Sequence, residues 1–206
     1  MHRCVDVRAG MVAQEEREGR RGEPVPLRFS DLLVRAEGCD EDRGPGARGI
    51  DEMPLHNFFT EALCLDLAHK PLKSDISIEV LQTAEQAAGV TIKAKDTVLL
   101  HMDFHRRCFG TPGYFTDFPG LTKASATWLG DKGITMFGVE GVSPGRPGRN
   151  NFEVHHVCRD LGFTHIEGLC NLDKLVGKGR FRFIGLPLKI KGGTGSPIRA
   201  VAWLED

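Results

Sequence analysis

The chain has 206 residues, 27 Lys and Arg against 28 Asp and Glu, and a formal net charge of -1. That length suits one domain able to bury roughly 70% of its unfolded surface. The balance of charge offers no basic field for nucleic acid. No run of 18 apolar residues is present to span a membrane, and the opening MHRCVDVRAG lacks the apolar stretch of a signal peptide. A cytoplasmic protein is the expectation. Cys4, Cys39, Cys64, Cys108, Cys158 and Cys170 include no C-x-x-C pair, which speaks against a cysteine-based zinc site and for free thiols.

The chain changes character near residue 49. Residues 1–49 hold nine Arg, ten Asp or Glu, seven Gly and no Lys, and their one aromatic is Phe29. A segment so charged and so poor in aromatics offsets little of its ordering entropy by burial, so 1–49 is expected to pack poorly. The same bias is also what a misread frame or an alternative exon of a GC-rich gene can give, a hypothesis that the DNA would test. Within it, Val25–Phe29 and Leu32–Val34 are short enough and apolar enough to pair as strands.

Residues 50–206 read as an orderly domain. In Glu61–Leu67 the leucines at 63, 65 and 67 share one face, a strand signal. Ser77 opens a helix through Ala88 whose apolar residues follow helical spacing. Thr97–His101 is strand-like. Thr122 opens a second helix to Asp131, and Ile134–Val139 is a buried strand. Asn150 or Asn151 caps a helix that stops at Gly162. Phe163–Ile166, Phe181–Ile190 and Ile198–Leu204 are three further strands. Alternating strands and helices define an α/β class with a mixed sheet.

Candidate chemistry gathers near residue 160. On the helix ending at Leu161, Val154, Val157, Cys158 and Leu161 form the buried stripe. At 100° per residue His155 lies about 110° from its centre and His156 about 150° away. His155 is thus the one placed to face a cleft beside the core, although flanking histidines are commonly surface groups. In FTHIEGL, Phe163, His165 and Glu167 share a face by the two-residue period. A carboxylate at the end of a buried strand needs a cation, a donor or a metal. Either His165 and Glu167 form a surface pair, or Glu167 meets His155 across the helix–strand turn. The loop GGTGSP, Gly192–Pro197, does not open a helix, so it is not a dinucleotide fingerprint. It is a strand connection requiring positive φ, or a loop whose N–H groups line a pocket.

IDEMPL (Ile50–Leu55), LDLAHKP (Leu65–Pro71), DTVLL (Asp96–Leu100), YFTDFPGL (Tyr114–Leu121), His155 and Glu167 spaced twelve positions apart, NLDKL (Asn171–Leu175) and FIGLPLKIKGGTGSPIRAV (Phe183–Val201) stand in an order that resembles the cyclase family of bacterial kynurenine formamidase and isatin hydrolase. The resemblance implies a swivelling β/β/α domain with flanking helices. It implies hydrolysis of an amide or lactam C–N bond at a divalent metal, commonly zinc or manganese, in a homo-oligomer. It carries His155 and Glu167 over as metal ligands, Phe104 as a pocket aromatic, and Thr194 and Ser196 as residues of a substrate loop. The family's main metal motif, H-x-G-T-H-x-D-x-P-x-H, belongs shortly before Ile50. That stretch reads FSDLLVRAEGCDEDRGPGARG and contains no His. Two ligands hold a metal weakly. The expectation is therefore little bound metal and weak or absent activity, the alternative being an inactive or truncated member serving as a non-enzymatic subunit.

Overall fold

The structure is a computed structural model that describes Arg3–Asp6, Leu33–Arg35 and residues 48–204. Val25–Phe29 and most of 1–49 lie outside the described residues. The strands are β1 (Arg3–Asp6), β2 (Leu33–Arg35), β3 (Phe59–Asp66), β4 (Asp75–Ile76), β5 (Thr97–His101), β6 (Gly120–Leu121), β7 (Met136–Val139), β8 (Thr164–Glu167), β9 (Phe181–Ile184), β10 (Gly195–Pro197) and β11 (Val201–Leu204). The helices are α1 (Ile78–Ala88), α2 (Phe104–Cys108), α3 (Lys123–Asp131) and α4 (Asn151–Leu161).

Among the described residues nine strands join one mixed sheet in the order β1-β11-β9-β3-β5-β7-β8-β2-β10, and β4 pairs β6 separately. At its centre β3, β5, β7 and β8 run parallel. In β5 and β7 the sequence is a nearly continuous apolar run because both faces are covered, whereas β8 buries Thr164, His165 and Glu167 around Ile166. One face carries Leu63, Leu65, Val98, Leu100, Phe137 and Val139, packed against α1, α3 and α4 through Leu81, Leu129, Val154 and Val157. The opposite face carries Cys64, Leu99, Met136 and Ile166 against Phe58, Leu172, Leu175 and Phe183. Each such side chain removed from water contributes about 1.5–3 kcal/mol.

The helix boundaries follow local chemistry. Thr122 and Ser125 form a reciprocal capping box at the start of α3. Ser77 stands at the N-cap of α1, which ends on Gly89 at φ 64°. The helix α4 stops on Gly162, whose φ of 71° suits glycine.

Three expectations need amending. The strand expected over Phe181–Ile190 ends at Ile184. Pro187 has no N–H for a ladder, and Leu186, Leu188 and Ile190 point to solvent. The strand expected over Ile198–Leu204 begins only at Val201. Leu33–Arg35 is a strand, but its partners are β8 and β10, with Leu33 opposite Glu167 and Val34 opposite Ser196.

Candidate metal centre

The α4–Gly162–β8 unit brings three donors together. The helix runs back along the sheet, and its flank places His155 beside the end of β8. Phe137 is registered opposite His165, so His165 and Glu167 project from the helix-covered face. His155, His165 and Glu167 are 6%, 2% and 1% exposed, which overturns the surface-pair reading of His165 and Glu167. Both faces of β8 are covered, Ile166 packing with Phe58, Leu172 and Phe183 on one side and His165 against Phe137 and His155 on the other, so its alternation has no solvent side.

The ligand-type atoms of these three residues all lie within 4.8 Å of one another, the one such group of three among the described residues. His165 Nε2 is 3.2 Å from Glu167 Oε1. The His155 and His165 rings meet edge to face with centroids 4.9 Å apart, and Phe137 stacks on His165 at 5.5 Å. Ser143 Oγ lies 3.4 Å from His155 Nε2 and 2.7 Å from Asn151 Oδ1, fastening the loop after β7 over the start of α4. His156 is half-buried and outside the group.

Two observations bear on a metal here. The donor set, two imidazoles and a carboxylate, is that of one class of hydrolytic zinc site. Also, His165 Nδ1 is buried without a hydrogen-bond partner, although buried polar atoms are ordinarily paired. The residues fit a divalent cation. The family resemblance carries His155 and Glu167 for this role and does not carry His165. The signal was present in the two-residue period that puts 165 and 167 on one face.

The residues expected to contact substrate lie apart from one another in role. Phe104 is fully buried, stacked on Tyr114 at 5.6 Å and edge-on to Phe118 at 5.9 Å. Ser196 is buried and its hydroxyl is engaged within its own loop, accepting from Leu188 N at 2.8 Å and donating to Pro197 O at 2.8 Å. Thr194 is half-buried. Gly192, at φ 63°, gives its N–H to Asp51 Oδ1 at 2.9 Å, and Ile50 N–H donates to Gly193 O at 2.9 Å. The glycine loop thus braces the segment at 50.

A second polar row, not foreseen, occupies the other face at the carboxyl ends of β3, β5 and β7. Asp66 Oδ1 is 2.9 Å from His101 Nδ1. Glu140 Oε2 accepts from the N–H groups of Met102 at 2.7 Å and Phe104 at 2.9 Å. Burial pushes the Glu140 carboxyl up to about 7, against the lowering effect of those two N–H groups and of His101.

Fold and site together define an α/β domain with a buried His/His/Glu cluster at the carboxyl end of a parallel strand. The Cyclase family model matches residues 40–146, 107 of the 206 positions, and the chain belongs to that family. It is 37% identical over 73 residues to a kynurenine formamidase of Salinibacter ruber, covering 35% of this chain and 34% of the relative. It is 39% identical over 129 residues to an isatin hydrolase of Roseibium aggregatum, covering 58% and 49%. The chain thus spans between a third and a half of these two relatives. In three dimensions it is similar to an isatin hydrolase crystallised with the product analogue thioisatinate, at TM-score 0.73 and 25% identity, covering 85% of this chain and 71% of that one. Isatin hydrolase A from Ralstonia solanacearum shares the fold at TM-score 0.75 and 22% identity, covering 99% and 92%. Among the described residues no helix is long and apolar enough to cross a membrane.

Proposed function

We propose that residues 50–206 form a metal-dependent hydrolase domain that cleaves an amide or lactam C–N bond of a small molecule, with His155 and Glu167 among the ligands of a zinc or manganese ion. The observation that carries the reading is the convergence of these two buried groups across the α4–β8 turn. Relatives named kynurenine formamidase and isatin hydrolase support the reaction class.

When bound, the metal supplies Lewis-acid polarisation of the carbonyl and a water of lowered pKa. Glu167 contributes the negative charge that makes a cation favourable in a dry site. His155 is oriented from behind by Ser143, as outer-shell partners orient ligand imidazoles. Phe104, Tyr114 and Phe118 give the neighbouring α2 region a rigid aromatic wall.

A second reading, a non-enzymatic subunit, is favoured by the lack of any His in residues 29–49. Purified chain supplied with zinc or manganese separates the two. Weak hydrolysis of N-formylkynurenine or isatin that a chelator abolishes and His155→Ala reduces is the expected result. A metal-loaded chain with no turnover of either compound favours the subunit.

A further inference from the structure

The two ligands carried over from the family do not explain why a third donor is buried with them. His165 stands two positions before Glu167 on the same strand face and within the same 4.8 Å group. Its surroundings leave its ring incompletely satisfied in either neutral tautomer. With the proton on Nε2, that N–H donates to Glu167 Oε1 at 3.2 Å and Nδ1 keeps a buried lone pair without a donor. With the proton on Nδ1, a buried N–H has no acceptor, and the Nε2 lone pair faces a carboxylate oxygen. A cation bound at Nδ1 takes the unpaired lone pair, while Nε2–H keeps Glu167 Oε1 as its acceptor and the carboxylate supplies the opposing charge.

We infer that His165 is a third metal ligand, so that His155, His165 and Glu167 bind a divalent cation without the upstream H-x-G-T-H-x-D segment. The inference rests on the metal-centre reading above and adds a donor that the family resemblance does not carry. Three protein ligands with a fourth position open is the arrangement of catalytic zinc. Its donors stand about 3.4 Å apart on a tetrahedral ion at about 2.0–2.1 Å. The present group lies within 4.8 Å, so closing on an ion requires side-chain shifts of about an ångström. Phe137 packed flat on the His165 ring limits that motion to the ring plane.

The test uses the whole chain stripped of metal with a chelator. It is titrated with cobalt(II), followed by visible absorption, and with zinc by equilibrium dialysis; circular dichroism checks folding of each variant. The wild type should take up one equivalent. His165→Ala should weaken binding by at least the roughly 10- to 100-fold that loss of an outer-shell partner costs, and both it and His155→Ala should alter the cobalt spectrum. Should the alanine variant fail to fold, His165→Phe keeps a flat ring against Phe137 without a donor nitrogen and should show the same loss. An unchanged affinity and spectrum in the His165 variants, with His155→Ala and Glu167→Gln impaired, overturns the third ligand and leaves the two-ligand centre standing. No uptake by the wild type, or uptake indifferent to all three positions, overturns the metal centre itself.

Discussion

Glu140 offers a perturbation whose sign and size follow from the structure. Its carboxylate bridges the N–H groups of Met102 and Phe104 across the turn that leaves β5 for α2, where Asp103 sits at φ 52°. Burial raises its pKa from 4.5 to about 7. The folded chain therefore holds this proton more tightly than the unfolded chain does. Below pH 4.5 both states are protonated and nothing is lost. Between 4.5 and about 7 the unfolded state ionises first, so stability falls as pH rises, by about 3 kcal/mol in all. Glu140→Gln keeps an acceptor for both N–H groups but cannot ionise. It should match the wild type near pH 4.5 and exceed it by up to about 3 kcal/mol at pH 8. Glu140→Ala leaves two buried N–H groups unpaired and should cost about 2–6 kcal/mol at pH 5. Urea denaturation across pH 4.5–8 measures all three proteins. A constant difference between wild type and the Gln variant over that range refutes the buried titration, and an Ala variant as stable as Gln at pH 5 refutes the bridge.

The pair Asp96–Arg180 supplies a second test. Asp96 is buried, accepts from Lys93 N at 2.7 Å and is gripped through both oxygens by Arg180, whose Nη1 is 3.0 Å from Oδ2. Because the Arg180 side chain is a quarter exposed, Arg180→Ala should cost about 2–3 kcal/mol, below the usual loss for breaking a fully buried pair; a change under about 0.5 kcal/mol in thermal denaturation would show that water replaces the arginine. Cys64 is buried, with its thiol pushed far above its ordinary range by desolvation first and by Glu140 and Asp66 next. It should resist iodoacetamide at pH 8 in the native protein and react in urea, as read by peptide mass spectrometry; native labelling at the rate of an exposed thiol contradicts the burial.

Local patterns in the sequence were enough wherever one element decided the outcome. Thr97–His101 is a strand over the expected residues, and the phase of α4 put His155 rather than His156 inward. What escaped depends on covering layers and distant partners. Nothing in THIE says that both faces of β8 are covered, so His165 read as half of a surface pair. The strands β4 and β6 are two residues each, too short for any period to show. The row of Asp66, His101 and Glu140 arises because three parallel strands end side by side, a fact of register rather than of any one segment. Apolar content misleads over Phe181–Ile190: Leu186, Leu188 and Ile190 face solvent beyond Gly185, with Pro187 among them.

The α4–Gly162–β8 unit also has a consequence for how the donor group assembles. Its first and last members are twelve positions apart in the chain. Closing so short a loop forfeits about 2 kcal/mol less chain entropy than bringing together groups a hundred residues apart. The three side chains can therefore converge as soon as one helix docks on one strand, and low contact order favours early formation. Ligands recruited from far upstream are a separate and later entropic expense. A site arranged in this way has a locally encoded half, which a neighbouring scaffold with a matching helix–strand turn could receive as a single contiguous graft.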